Sequence, residues 1–554
     1  MLLHALVGLL CLFQGVSAGG VIGSSSWSGW GANTRNNRWA SQNNVISSAN
    51  ILSVADTCTK SFPIGISATP VISGNVVYFP TWDGAFVALE YKTCQILWQI
   101  NVTAVIQSFR PPSAFQAANV RPVSRTSPQI DGNVLYFGTL THALVVAVNK
   151  YTGSILGAVQ INAHPLAIIT MSPTFYNGKL FVGASSVEEN VPLIPGYQCC
   201  SFVGNMVALT FSGNHFRTSW NVSAISPARQ REGWSGAAIW GSQPAVDASR
   251  NLVFVATGNS YSVSPATVQC QLSFVPPQVP YTLNSPSCLP SDVWQDSVIA
   301  IDLDSGRVKW VQQRPGVDIF TAACGYPNFG PQNPDICPGI PGSSSDFGMA
   351  PTFVPSSSNH HKRGGNNADK VIVGRKNGDL YALSAQDGHV LWATSTSPQG
   401  ITGGLSWGIA VDDSRAYFTA INSDYKTWQL QPSGQTIARS AYGAASLATG
   451  MILWETAVPR QGFSLSPPTV VGDLVLVGRT GEDPNGTASY DASQGSLVAL
   501  KKATGQVILD KTVSTNFHGG VAVQGKYVLF GTGYSGFGAP QTVPGVFHVM
   551  QVQP

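Results

Sequence analysis

Charge is what this chain of 554 residues most lacks. Lys, Arg, Asp and Glu together make up 10% of it, against roughly 25% in an ordinary soluble domain. Lys+Arg is 30 and Asp+Glu is 27, a formal net charge of +3. So few charges, so evenly balanced, exclude a nucleic-acid binder and a polybasic membrane binder. Beyond the N-terminus no apolar run approaches the ~20 residues a bilayer span needs, so stable membrane insertion is not expected. No P-loop, H-E-x-x-H helix, C-x-x-C-H haem site or paired C-x-x-C zinc pattern occurs. Disorder is excluded as well, because apolar residues reach 44% and aromatics 10%.

What is present is turn-rich and strand-favouring. There are 57 Gly and 36 Pro, with abundant Val, Ser, Thr, Tyr and Trp, the composition of an all-β protein. Residues 1–18 read as a signal peptide, with an apolar core from Ala5 to Phe13 and small residues at Val16-Ser17-Ala18. The expected location is therefore the secretory lumen or the exterior, with residues 19–554 as one domain. Cys11 leaves with the signal. Cys58, Cys94, Cys199, Cys200, Cys270, Cys288, Cys324 and Cys337 remain. An even count in an oxidising compartment favours disulfides. Proximity suggests Cys58–Cys94, Cys270–Cys288 and Cys324–Cys337, with a vicinal bridge open to Cys199-Cys200. Sequons at Asn101, Asn221 and Asn485 are candidate glycosylation sites.

The chain repeats itself. A buried strand and turn lead into Ala-(Leu/Val/Ile), then (Thr/Ser)-Gly, then a closing Trp, as from Ala88 to Trp98, Ala300 to Trp310 and Ala382 to Trp392. Seven copies can be traced; two lack the final Trp, and the first has Cys94 where others have Gly. All-strand repeats of this size predict a β-propeller with about four strands per blade. An eighth sheet is expected from Val521–Phe530, His548–Val552 and the segment Trp27–Ala40. The prediction is an eight-bladed propeller, with seven blades as the runner-up. The repeat Gly and Trp read as scaffold: a tight turn and an inter-blade packing group.

These repeats resemble the tryptophan-docking motifs of pyrroloquinoline quinone (PQQ) alcohol dehydrogenases. The polyvinyl alcohol dehydrogenase-like branch is the most similar, through Trp30-Gly31, Val187-Glu188-Glu189, Tyr197-Gln198-Cys199-Cys200, Trp240-Gly241-Ser242 and Gly403-Gly404-Leu405-Ser406-Trp407-Gly408. The resemblance implies a Ca²⁺ site at Glu188 and Asn259, and a stacking platform at Trp240. It implies cofactor contacts at Arg125, Thr170 and Ser185, and a cation near the quinone carbonyls at Lys376. One departure stands out. Where the family carries Asp-x-Asp-x-x-x-x-Pro, this chain reads from Ser344 through Asp346 to Pro351. The base position is a serine, a weak base and a poor Ca²⁺ ligand. Asp318 and Asp346 are candidate substitutes.

Three functions follow. The first is a non-redox enzyme for a flat hydrophobic or aromatic substrate, a dehydration and cyclisation catalyst of the hetero-Diels–Alderase type in natural-product biosynthesis. Asp346, Lys376 and His518 would be its acid–base groups, and it would need no cofactor. The second is a PQQ- and Ca²⁺-dependent alcohol dehydrogenase that keeps the ancestral activity. The third is a non-catalytic binding propeller. A monomer or weak oligomer is expected in each case. Gly404-Leu405-Ser406-Trp407-Gly408 matches Gly-x-Ser-x-Gly, but its β-repeat context lacks the strand–turn–helix of a nucleophile elbow. Trp234, Trp294, Trp407 and Tyr197 are candidates for an aromatic cavity.

Overall fold

The computed structural model describes residues 27–274, 288–324, 337, 342, 344–356, 368–400, 402–481, 493–535 and 542–553. The segment 1–18 expected to be a signal peptide and the sequon at Asn485 lie outside them. Seven four-stranded antiparallel sheets and one five-stranded sheet form the eight blades of a β-propeller. The first blade is Val71–Ser73, Val76–Pro80, Ala85–Glu90 and Gln95–Asn101. The next six follow in chain order with the same up-and-down connectivity. Their middle strands are buried on both faces by the neighbouring blades, so they read as continuous apolar runs. Among the described residues no helix is long and apolar enough to cross a membrane.

The closing blade differs from the sequence expectation. Its outer strand is Ala55–Phe62, paired antiparallel with Gly545–Gln551, and not the segment Trp27–Ala40. That earlier segment has its polar backbone in use elsewhere. It runs past the first strands of the blades and exchanges backbone hydrogen bonds with Ile72, Val246, Phe353, Val411 and Val470. Trp39–Ala40 adds a parallel fifth strand to Thr469–Val471. The N-terminal segment is therefore a plug in the central channel. Its pin is Arg38, 1% exposed. All five guanidinium N–H groups are used: Nε donates to Pro468 O, Nη1 to Trp30 O and Thr69 Oγ1, and Nη2 to Thr469 Oγ1 and Val521 O. Trp27 and Trp30 cover it, 5.6 and 4.5 Å from its carbon. Burial lowers its pKa to about 9, still charged at neutral pH.

Blade-to-blade contacts follow the repeat. The indole N–H of Trp98, Trp220, Trp310, Trp392 and Trp454 donates to a carbonyl of the next blade, at Lys150, Leu303, Ala385, Leu447 and Lys502 respectively. Each ring presses on that blade's turn glycine. At Gly153, φ is +72° and a Cβ would meet the Trp98 ring at 2.9 Å, so only Gly serves there. Where the closing blade meets the first, Cys94 occupies the glycine position with φ +65° and is bridged to Cys58. The pairs Cys199–Cys200, Cys270–Cys288 and Cys324–Cys337 also form.

Two stability predictions follow from buried charge. Arg38→Met leaves channel carbonyls unpaired and should cost about 3–5 kcal/mol, read as a lowered thermal midpoint, with Arg38→Lys falling between. Glu455 is buried with one oxygen accepting from Gln431 N, and burial raises its carboxyl to about 7. Because the folded pKa lies above the unfolded one, stability should fall as pH rises from about 4.5 to 7, by up to about 1.4 kcal/mol per pH unit. Glu455→Gln should remove this group's share of the slope, making denaturation curves across that range shallower by up to about 1.4 kcal/mol per pH unit, while leaving stability at pH 4 unchanged.

Candidate active site

The loops joining blade strands at one end of the ring enclose a central cavity of about 40 Å³. Trp30 of the plug lines it, with Arg125, Thr170, Trp240, Trp407, His518 and Tyr534 among the other wall residues. Trp240 is the hinge of the arrangement. Its carbonyl accepts from Thr170 Oγ1 at 2.8 Å, and its ring meets Trp407 edge-on at 5.6 Å. Its indole N–H donates to Asp346 Oδ2 at 2.9 Å. Asp346 Oδ1 forms an ion pair with Lys376 Nζ at 2.6 Å, and that ammonium stands 5.2 Å from the Trp240 ring centre. Lys376 also donates to Ser344 Oγ at 3.1 Å. Burial alone would lower the lysine's pKa, but Asp346 and Glu189 outweigh it and raise it. The ammonium is therefore a fixed donor, unable to activate Ser344 as a base would.

Behind this pair lies a reservoir of carboxyl groups. Glu189, Asp296, Asp318 and Asp346 feel one another's charge, against the cations Arg375 and Lys376. Arg375 pairs with Asp296 at 2.6 Å. Asp318 accepts the backbone N–H groups of Ser344 and Ser345 at 3.2 and 2.7 Å. Burial, reinforced by Asp318, holds Asp296 well above the usual carboxylate range. Burial also raises Asp318, with Asp346 adding to the effect. Glu189 is pushed up to about 7, chiefly by burial, with Lys376 opposing and Asp346 and Asp318 adding. Among the described residues no hydrogen bond reaches the Glu189 carboxyl group.

The sequence-expected residues divide. Asp346, Lys376 and Trp240 come together as one unit; Arg125, Thr170 and His518 line the cavity. Ser185 does not: it pairs with Ile168 in a two-stranded ribbon. Glu188 is buried with both oxygens engaged, by Tyr197 Oη, Ser201 N and Phe202 N, and His164 stands 3.5 Å away. Burial would raise its pKa, but these donors outweigh it and lower it. It holds the loop that carries Cys199–Cys200, whose Cys200 packs in the same apolar cluster as Trp240. Glu189, its neighbour in sequence, is the carboxylate that faces Asp346 and Lys376. Burial drives His518 down to about 3, so it is a neutral ring at physiological pH and cannot be the general acid. Of the four candidate aromatic residues only Trp407 reaches the cavity; Trp234 is buried in a separate cluster, Trp294 packs with another, and Tyr197 serves Glu188.

These residues fit the quinone-and-calcium set in part. Asn259 keeps its amide N–H groups on Ser260 O and Phe320 O, which leaves its carbonyl oxygen as the atom it could offer a cation. Glu188 has both oxygens engaged by protein donors, and Ser344 stands where the third ligand, a carboxylate, is expected. Among the described residues no three His, Cys, Asp or Glu groups converge on one point. The expected Ca²⁺ ligand set is therefore incomplete.

A family model described as outer membrane protein assembly factor BamB matches residues 376–496. A polyvinylalcohol dehydrogenase from Sphingopyxis sp. is 27% identical over 71% of this chain and 54% of its own length. A quinoprotein ethanol dehydrogenase from Pseudomonas aeruginosa is 25% identical over 52% of this chain and 47% of its own. The chain thus spans about half the length of the curated relatives it matches. Among solved structures, the quinohemoprotein alcohol dehydrogenase of Comamonas testosteroni superposes with a TM-score of 0.64 at 15% identity, covering 95% of this chain and 80% of that one. A europium-containing methanol dehydrogenase does so with a TM-score of 0.64, 15% identity and 95% and 98% coverage.

One prediction tests the loop assignment. Glu188→Gln replaces one acceptor by a donor facing backbone N–H groups. Amide exchange at Ser201 and Phe202 should speed at least tenfold, with a stability loss of about 1–3 kcal/mol.

Proposed function

We propose, from the likeness of this chain to polyvinylalcohol and quinoprotein alcohol dehydrogenases, that it is an extracytoplasmic enzyme of the PQQ alcohol dehydrogenase-like propeller group, with acid–base rather than redox chemistry. The reaction class is loss of water from a flat hydrophobic substrate followed by ring closure, as in a hetero-Diels–Alderase. One observation carries this reading: the carboxylate position expected of a dehydrogenase base is Ser344, and its hydroxyl accepts from an ammonium. What stands ready beside Trp240 is instead a graded set of proton-transfer groups.

Asp346, acceptor to Lys376 and Trp240, is the base that takes a proton from an acidic hydroxyl of the substrate. Lys376 steadies the oxyanion left behind. Glu189, with a carboxyl near 7, is half protonated at neutral pH and hands a proton to the departing hydroxyl, which leaves as water. The aromatic walls then hold the reactive ends together for ring closure. Four disulfides suit an oxidising compartment, and Asn101 and Asn221 are exposed where a glycan could attach.

A second reading, a PQQ- and Ca²⁺-dependent dehydrogenase, is favoured by one feature. Three buried carboxyl groups and the partly exposed Glu189 face two cations, an imbalance that a divalent ion beside Glu189 and Asn259 would offset. The two are separated by titrating the purified protein with PQQ and Ca²⁺ while monitoring tryptophan fluorescence and dye reduction. A parallel screen follows acceptor-free conversion of aromatic and terpenoid alcohols. The first reading expects conversion without any acceptor and no dye reduction. Asp346→Asn and Glu189→Gln should each lower that rate by about 10²–10⁴, and the wild-type rate should fall as pH rises through about 7. Saturable quinone binding with dye reduction would overturn it.

A further inference from the structure

The chain between the first and second blades builds an apolar face that the chemistry of the cavity leaves unused. Asn101 ends the outer strand of the first blade and caps a helix, Val102–Phe109, by accepting from Ala104 N at 3.0 Å. Val102 and Ile106 are its buried side. Pro111 and Pro112 end it. Ser113 then opens a second short helix, Ala114–Asn119, through a capping box with Gln116. Gln116 Nε2 docks this arm by donating to Pro165 O at 2.8 Å. Held this way, Phe109 at the end of one helix and Phe115 in the next stay 40% and 38% exposed.

A loop of the third blade completes the face. The chain turns through Val191–Leu193, and Leu193 and Ile194 stay 48% and 36% exposed. Tyr197 donates its N–H to Ile194 O at 3.2 Å and stacks on Phe115 at 5.9 Å with 5° between planes. Phe109 joins through His142, which meets its ring at 6.2 Å and Gln116 Nε2 at 3.4 Å. The exposed groups of the two loops are thus one continuous patch. Beneath it Val120, Val123 and Val191 pack in a cluster with Trp82 and Tyr534, and Tyr534 is also a wall of the cavity. The patch and the cavity lie at the same end of the ring.

Charge decides what this patch meets. Residues 101–122 and 190–204 contain Arg110 and Arg121, both exposed, and no Asp or Glu. The Arg110 guanidinium touches only uncharged acceptors, His142 Nδ1 and Gln160 Oε1, each at 3.2 Å. A twofold contact between copies through this face would crowd the arginines of both with no acid of these loops to offset them. An anionic lipid surface suits it: Phe, Leu and Ile enter the acyl boundary while the guanidinium groups meet lipid phosphates. We propose that this face seats the propeller on an anionic lipid surface, with the cavity's end of the ring toward the lipid. Two arginines are no polybasic tract, so the apolar groups hold the protein and the charge selects the surface. Such seating holds whichever chemistry the cavity performs.

The test is co-sedimentation of the purified full chain with sucrose-loaded vesicles, either phosphatidylcholine alone or phosphatidylcholine with about 30% phosphatidylglycerol. Partitioning to the anionic vesicles should exceed that to phosphatidylcholine by about tenfold, and should weaken but persist at ~0.5 M NaCl. Phe109→Ser with Phe115→Ser, and separately Leu193→Ser with Ile194→Ser, should each lower partitioning by about tenfold. Arg121→Gln should cut the preference for anionic vesicles about threefold and leave partitioning to phosphatidylcholine unchanged. Leu52→Ser, at a residue 69% exposed outside this face, should change nothing. Circular dichroism and thermal midpoints check the fold of each variant. No partitioning to anionic vesicles, equal partitioning to both kinds, or wild-type partitioning in both folded double variants would overturn the proposal. So would a dimer in sedimentation-velocity runs that Phe109→Ser with Phe115→Ser splits, in a protein that binds no vesicle: the face would then belong to a second copy.

Discussion

The guanidinium of Arg38 is the group on which the architecture converges. An eight-bladed ring leaves an axis where the first strands of every blade expose backbone carbonyls and N–H groups. Those groups must be paired, because a buried unpaired amide costs what a lost hydrogen bond costs. The N-terminal segment meets that demand by bonding to five first strands in turn. Arg38 completes the plug where the first, seventh and eighth blades meet. Gly520 has no side chain for the same reason: a Cβ there would crowd the Arg38 guanidinium at 2.6 Å. The plug then becomes floor, since Trp30 rests on Arg38 with one face and borders the cavity.

On this floor, charge is sorted rather than cancelled. Loops within the third, fourth and fifth blades, with the connection from the fourth to the fifth, bring Glu189, Asp296, Asp318 and Asp346 near Arg375 and Lys376. So many carboxyl groups in so little solvent cannot all ionise, and protons are retained at neutral pH. Trp240 stands between this titrating layer and the cavity and touches both. The same ring that a planar ligand would lie on is hydrogen-bonded to Asp346 and capped by Lys376, so a ligand's position and the proton inventory are set by one side chain.

The propeller was legible because its signal is repeated. A Trp and a Gly recurring at the same places in successive copies carry a single physical instruction, ring on turn, and the structure obeys it at five seams. The disulfides were legible from proximity in the chain. The closing strand was not. Ala55–Phe62 alternates weakly and belongs to no repeat copy, whereas Trp27–Ala40 looks strand-like because it pairs with inner strands around the axis. At the site, Asp346, Lys376 and Trp240 were found through their motifs. The exchange of roles between Glu188 and Glu189 could not be read, because adjacent carboxylates in a loop are told apart only by where the backbone points them. The low charge of the chain was in retrospect the useful signal: with so few acids, three buried together with Glu189 at their edge are not a solvated surface.

The eight seams are not alike, and that has a mechanical consequence. Five are riveted by an indole on a glycine. The seam between the second and third blades has Gly157 against the Asn214 turn instead, and the seam between the seventh and eighth has Leu509 where Trp would stand. At the seam between the closing blade and the first, Cys58 is bridged to Cys94. That bond ties the strand Ala55–Phe62 to the first blade, and the same strand holds the C-terminal strand Gly545–Gln551 by its ladder of backbone hydrogen bonds. The ring is thus closed like a belt whose buckle is riveted to one end only: the tongue is gripped by hydrogen bonds, and the disulfide keeps the buckle in place for it.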